Sequence, residues 1–88
     1  MPPQVVCVSF ITSIYKSKTG FQVPKQVCRL LGVDDGDRVA INIVGPSGHP
    51  LYDGGATLSS GTEICSGAAR KALKGHKGHQ ITVWASRI

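Results

Sequence analysis

The sequence predicts a mainly β fold with two short helices, built from two similar halves. Residues 38–43 alternate charged or small side chains with apolar ones, as a half-buried strand does. Residues 24–32 begin with proline, space their apolar side chains at helical intervals and end at glycine, which is typical of a short helix. A similar succession returns about 42 residues later. With 88 residues, 41% of them hydrophobic, the chain is predicted to form one domain, 1–88.

The first half starts with β-branched and aromatic residues. Residues 5–15 (VVCVSFITSIY) show no helical period and predict one or two strands. The basic turn KSKTG at 16–20 leads to a short strand at 21–23. The helix that follows is predicted near residues 24–31, because Pro24 suits the first helical position.

The helix is predicted to stop at Gly32, which can adopt the left-handed conformation of a C-terminal cap. The turn DDGD at 34–37 then precedes the strand that contains Val39, Ile41 and Ile43. The glycine- and proline-rich stretch that follows, VGPSGHPLYDGG, predicts a hairpin rather than a linker, since Leu51 and Tyr52 give it apolar surface to bury. The glycine-rich run YDGGATLSSG lacks the lysine of a phosphate-binding loop and predicts turns.

The second half repeats the first in outline. TGFQV at 19–23 aligns with SGTEI at 60–64, and RLL at 29–31 aligns with KAL at 71–73. The offset grows from 41 to 42 residues and then holds for Gly36 with Gly78. We therefore predict pseudo-repeats at about 1–44 and 45–88, related by a pseudo-twofold axis, with the second helix near 66–74. Chance similarity is the competing explanation.

Charge and cysteine content limit the partners and the compartment. A net charge of +5 favours polyanions such as nucleic acid or an anionic membrane surface, although a merely basic domain fits equally well. Three widely spaced cysteines, Cys7, Cys28 and Cys65, provide neither a disulfide framework nor a CxxC metal site, which predicts a cytoplasmic protein. No apolar run approaches the length of about 18 residues that a membrane span needs, so no membrane-spanning segment is predicted, and a membrane is not among the predicted partners.

Residues 20–39, GFQVPKQVCRLLGVDDGDRV, resemble the strand–helix–strand motif of the AbrB, MazE and SpoVT swapped-hairpin transcription regulators and antitoxins. The residues that match the motif are Val23, Pro24, Lys25, Val27, Arg29, Leu31, Gly32, Val33, Gly36, Asp37 and Val39. The second half departs from it: Cys65 and Ser66 replace the Val-Pro pair, and His79 replaces the aspartate of the Gly-Asp pair. Cys28 also displaces the usual register around the arginine.

The resemblance implies a barrel. Members of that family interleave two shorter chains, whereas this chain supplies both halves itself, as the related cradle-loop barrels of RIFT and double-psi type do. The expected fold is therefore a small closed six-stranded cradle-loop β-barrel with two short α-helices. A closed barrel has no exposed strand edge, so we expect a monomer.

The resemblance also implies binding of duplex DNA through basic loops, with a toxin or nuclease partner left open. The family's basic positions map onto Lys16, Lys18, Lys25 and Arg29, and the pseudo-symmetry adds Arg70, Lys71, Lys74 and Lys77. Lysine and arginine on a rigid barrel can neutralise phosphates without reading bases. A solvated surface is the alternative for each cluster, and for the two arginines a favourable position near a helix C-terminus.

Two other functions stay open on the sequence. One is a protein-interaction or scaffold barrel. The other is a small-ligand or nucleotide-binding enzyme of the cradle-loop group, for which Asp53, Glu63, Ser59 and Ser60 are the polar candidates. The chain shows no paired acids at a readable spacing and no nucleophile beside a histidine, so no catalytic residue and no cofactor is predicted.

The histidines of GHKGH raise the question of a metal. His76 and His79 would need further ligands, which only Cys65 or His49 could supply. A basic loop is the simpler interpretation, and no metal is predicted.

Overall fold

The computed structural model describes residues 7–88, which form five strands and two helices. The strands are β1 (Cys7–Ser13), β2 (Arg38–Val44), β3 (Pro50–Ser59), β4 (Glu63–Cys65) and β5 (Gln80–Arg87). The helices are α1 (Lys25–Leu31) and α2 (Gly67–Ala72), and a single 3-10 turn covers Ser60–Thr62. The mainly β prediction is confirmed. The predicted first strand is present as β1, while its first two positions, 5 and 6, lie outside the described residues.

All five strands pair antiparallel in one sheet of order β1-β5-β2-β3-β4, which curls into a half-barrel. The predicted closed six-stranded barrel is therefore wrong. The expected sixth strand, 21–23, forms only an isolated bridge between Gln22 and Glu63. Its pairing cannot extend beyond Val23 because Pro24 has no backbone N–H to donate. The described residues thus leave β1 and β4 at the two ends of the sheet.

Both helices occupy their predicted positions. Gly32 ends α1 in the left-handed conformation, with φ 71° and ψ 33°, and its N–H donates to the Arg29 carbonyl. Ser66 begins α2, where its hydroxyl accepts a hydrogen bond of 3.3 Å from the Ala69 N–H. Such caps satisfy backbone groups that a short helix leaves unpaired. Neither helix of the described residues is long enough to cross a membrane.

The glycine-rich stretch after Leu51 was expected to form turns, and this expectation is wrong, because it forms most of β3. A Cβ on Gly54 would lie 2.8 Å from the Tyr52 hydroxyl oxygen, and one on Gly55 would lie 2.7 Å from an Arg38 guanidinium nitrogen. Both distances are shorter than a Cβ atom normally shows, but each involves the far end of a flexible side chain, which could move away. Neither glycine has the positive φ of a left-handed turn residue, and both pair with β2, Gly54 opposite Ile41 and Gly55 opposite Ala40.

Hydrogen bonds in the two halves correspond. In the first half, Gly36 N donates to the Leu58 carbonyl (2.7 Å), and Leu58 N donates to the Asp37 carbonyl (2.8 Å). In the other half, Gly78 N donates to the Ile14 carbonyl (3.0 Å), and Ile14 N donates to the carbonyl of His79 (2.9 Å).

The central strands show the same correspondence. Asn42 of β2 pairs with Trp84 of β5, and these two residues are equivalent at the offset of 42. At the same offset, Ile41 is equivalent to Val83 and Ile43 is equivalent to Ala85. The pair Ile41–Ala85 is therefore equivalent to the pair Ile43–Val83, and both pairs are observed.

The core lies on the concave side of the sheet, beneath the helices. The central strands contribute alternate residues, and Phe21, Leu31 and Leu73 are buried in the same cluster. Phe21 is completely buried, and its ring centroid lies 6.4 Å from that of Phe10. The inward side chains of β2 and β5 are fully buried, whereas those of β1 are only partly buried. The core is thus less well covered along β1.

Candidate nucleic-acid interface

Five basic side chains line one shallow groove with a volume of about 650 Å³. Lys18 comes from the loop after β1, Arg70 and Lys71 from α2, and Lys74 and Lys77 from the loop before β5. Two hydrogen bonds between Ile14 and residues 78–79 hold these loops together. We call this surface the basic groove. All five side chains are exposed, and no carboxylate lines the groove.

Lys18 differs from the other four cations. Its Nζ lies 3.4 Å from Oε2 of Glu63 and 5.0 Å from the centroid of the Tyr15 ring. The Tyr15 hydroxyl donates to the other oxygen of the same carboxylate, at 3.1 Å. Lys18 is therefore held at the rim with its charge partly balanced. The other cations of the groove form no ion pair within residues 7–88.

Burial, the hydrogen bond to Glu63 and the negative charge of that carboxylate, in this order of size, raise the pKa of Tyr15. The unfolded chain then loses the tyrosine proton first, at its ordinary pKa of about 10, so stability should fall as the pH rises above that value. Urea unfolding at several pH values between 9 and 11 measures this loss. The Tyr15→Phe variant should show a shallower decline, and equal slopes in the two proteins would contradict the prediction.

Lys16 extends the basic groove on one side. Its Cγ lies 3.4 Å from the position that a Cβ on Gly78 would take, which places its stem against the loop before β5. Six of the eight predicted basic residues thus belong to one surface.

Lys25 and Arg29 lie in a second groove, of about 380 Å³, together with Asp34, Asp35 and Thr62. We call it the mixed groove because it carries both signs of charge. The eight basic residues, which were expected to share one face, therefore lie at two sites of unequal size. The sequence places Lys25 and Arg29 near DDGD, and this proximity was the available signal that their charges would be offset.

The carboxylate of Asp35 is occupied by backbone donors. It accepts hydrogen bonds from Thr62 N at 2.9 Å and from Gly61 N at 3.3 Å. Thr62 is the only described residue other than glycine with a positive φ, 59°, and its hydroxyl lies 2.7 Å from the Val23 carbonyl. A β-branched residue is strained in this conformation, so Asp35 holds a turn that the chain would not adopt readily.

Cys28 lies at the bottom of the mixed groove and is buried. Burial raises the pKa of its thiol, with smaller raising contributions from Asp34 and Asp35. Because the thiolate is the reactive form, Cys28 is a poor nucleophile at neutral pH.

The two grooves occupy equivalent positions in the two halves. At the offset of 42, Arg29 corresponds to Lys71 and Asp35 corresponds to Lys77, and each residue lines its own groove. One half therefore places a carboxylate where the other places an ammonium group. The sequence alone contains this difference, since Asp35 aligns with Lys77 at the offset of 42.

The two histidines of GHKGH lie close together. Their ring centroids are 5.5 Å apart in an edge-to-face arrangement. Among residues 7–88, no three side chains of the His, Cys, Asp and Glu types come together in a way that would hold a metal ion. Neither Cys65 nor His49 joins the pair.

Comparison with known proteins identifies a solved structure with a similar fold. No protein-family model matches the chain, and no curated protein matches it. Among solved structures, the solution structure of PHS018 from Pyrococcus horikoshii is similar, with a TM-score of 0.72 and 23% sequence identity. The match covers 92% of this chain and 90% of that one. At this identity the similarity concerns the fold alone.

Proposed function

We propose that the protein binds nucleic acid, with duplex DNA as its ligand, through the basic groove. The observation that carries the proposal is the convergence of Lys18, Arg70, Lys71, Lys74 and Lys77 on one groove that no carboxylate lines. Each cation that neutralises a phosphate releases a condensed counterion, which is the main source of affinity in binding that does not depend on sequence.

The position of the cations supports phosphate contact rather than base recognition. Arg70 and Lys71 lie on a short helix whose first turn is capped, and Lys74 and Lys77 lie on the loop tied to Ile14. A backbone that is already ordered loses little further conformational entropy when these side chains bind a ligand. The shallow groove also offers no aromatic side chain for a base to stack on.

Two further elements belong to the proposal. The resemblance of residues 20–39 to the AbrB, MazE and SpoVT regulators supports a DNA ligand, and the matched hydrogen bonds of the two halves support an internal duplication with an approximate twofold axis. The cysteines Cys7, Cys28 and Cys65 are all free, which supports a reducing, cytoplasmic location.

A titration against random duplex DNA at several salt concentrations tests the proposal. For the parent protein, the logarithm of the binding constant should fall linearly with the logarithm of salt concentration, by about 0.9 per phosphate neutralised. Replacing Lys71 and Lys74 with alanine should flatten the slope by roughly 2 and weaken binding by about tenfold or more near 0.1 M salt. The loss should be similar for all DNA sequences.

The matched control replaces Lys25 and Arg29 with alanine. This variant loses the same two charges, but from the mixed groove beside Asp34 and Asp35. It should retain the parent slope to within about half a unit, because no counterion release is lost there. Equal effects of the two double variants would favour two DNA-contacting clusters over one groove. No measurable affinity of the parent protein at low salt would exclude DNA as the ligand.

A further inference from the structure

The strand β1 has an open edge. It pairs with β5 on one side and has no neighbouring strand on the other within residues 7–88. Ile14 N donates toward the β5 side, to His79, and Tyr15 N donates to the opposite side, to Gly20. Because direction alternates along an antiparallel strand, the N–H groups of Ser9, Ile11 and Ser13 point away from β5. The described residues provide no partner for them.

The corresponding edge of β3 is protected. β4 covers its last three residues, Thr57–Ser59. The rest of β3 carries Pro50, the charged Asp53 and the Tyr52 hydroxyl, which donates to the Gly55 carbonyl at 2.8 Å. Proline, charge and occupied carbonyls are devices that prevent another strand from adding to an edge.

β1 has none of these devices. Its sequence, CVSFITS, contains no proline and no charged residue. Ile11 is 64% exposed, and Trp84, next to Ser9 on β5, is 41% exposed. Val8 and Phe10 are only partly buried on the inner side. An unprotected edge with apolar residues on both sides is the type of surface to which a further strand adds.

We propose that a second copy of this chain pairs with β1, antiparallel to it, so that the two sheets continue across a twofold axis. A register centred on Phe10 places Ser9 opposite Ile11 of the second copy and uses every outward N–H and carbonyl of the strand. The chain carries a net charge of +5, and β1 itself carries no charged side chain, so two copies of this strand can pair without placing like charges opposite each other. This proposal does not rest on DNA binding.

The open edge of β1 also removes the reason for expecting a monomer. That expectation depended on a closed barrel without edges, whereas the half-barrel leaves β1 open. In the dimer, the loops that follow the two copies of β1 leave at opposite ends of the paired strands. A seven-residue strand is about 20 Å or slightly more in length, so the starts of these two loops would be separated by about that distance.

Two measurements on the whole chain test the dimer. Sedimentation over a wide concentration range should show a monomer–dimer equilibrium. Amide hydrogen exchange should then slow at Ser9 and Ile11 as protein concentration rises, while Phe10 and Thr12, which face β5, are protected at every concentration. A monomer throughout, or exchange at Ser9 and Ile11 that does not depend on concentration, would overturn the proposal.

Substitutions at one position separate edge pairing from a general apolar contact. Ile11→Pro removes an outward N–H without breaking a bond to β5, and should weaken the dimer by about tenfold or more. Ile11→Ala keeps the N–H and should have the smaller effect. Circular dichroism and urea unfolding establish that both variants are folded. If Ile11→Pro leaves the sheet folded and the dimer unchanged, or if Ile11→Ala weakens the dimer as much, the two copies do not pair through β1.

Discussion

Replacing Phe21 with alanine should lower the free energy of unfolding by about 4 kcal/mol. The side chain is fully buried, packs against the Phe10 ring and lies where the segment before α1 closes the core. Its removal leaves a cavity, because the neighbouring backbone is fixed by a hydrogen bond of 3.1 Å from Ile64 N to the Phe21 carbonyl. A small domain has only about 5–15 kcal/mol in total, so the variant should be close to its stability limit.

Urea unfolding of parent and variant measures this loss. Phe10→Ala is the control, since it removes the partner ring from a partly buried position on β1 and should cost distinctly less. If the Phe21→Ala variant unfolds before a baseline can be recorded, the thermal midpoint in a stabilising osmolyte gives the same ranking. Equal losses in the two variants would contradict the prediction that the fully buried Phe21 contributes more to the core than Phe10.

Replacing Asp35 with alanine should cost about 2–3 kcal/mol. The substitution removes the acceptor of two backbone N–H groups, at Gly61 and Thr62, in a turn where Thr62 is strained. Hydrogen bonds to a charged acceptor are stronger than neutral ones, and the strained turn depends on them. Asp35→Asn keeps one acceptor oxygen and should fall between the parent and the alanine variant.

The matched control for Asp35 is Asp53→Ala. It removes the same charge from an exposed position on β3, where the side chain makes no described hydrogen bond or ion pair. Its effect should stay within about 0.5 kcal/mol. If the two alanine variants are equally stable, the carboxylate does not hold the turn.

Local features of the fold were predictable from the sequence where one residue type determines the backbone. Pro24 and Gly32 define the ends of α1, and alternation at Val39, Ile41 and Ile43 defines β2. The prediction of turns around Gly54 and Gly55 is wrong, because glycine in a turn and glycine within a strand are identical in sequence. Only the pairing with β2, in which Gly54 lies opposite Ile41 and Gly55 opposite Ala40, distinguishes them.

The candidate site was predictable in composition but not in arrangement. The basic residues were identified by type, yet the separation of Lys25 and Arg29 from the basic groove depends on where the loops of the opposite half lie. Barrel closure failed for a related reason. Residues 21–23 form only one bridge, between Gln22 and Glu63, before Pro24 ends the pairing. The apolar pattern of the sequence does not show how many backbone hydrogen bonds such a short segment will form.

The place of β5 has a consequence for synthesis of the chain. β5 lies between β1 and β2, although it is the last of the five strands in sequence. Cys7 of β1 pairs with Ser86 of β5, so this contact joins residues that are separated by most of the chain. On the ribosome, β1 must wait without its neighbour until residues 80–87 have emerged from the exit tunnel, so the sheet cannot form progressively from the N-terminus. Closing this long-range pair brings a large loop entropy cost and should make folding slow for so small a domain. Nascent chains therefore expose the uncharged strand β1 during translation, which is when a chaperone would have most to protect.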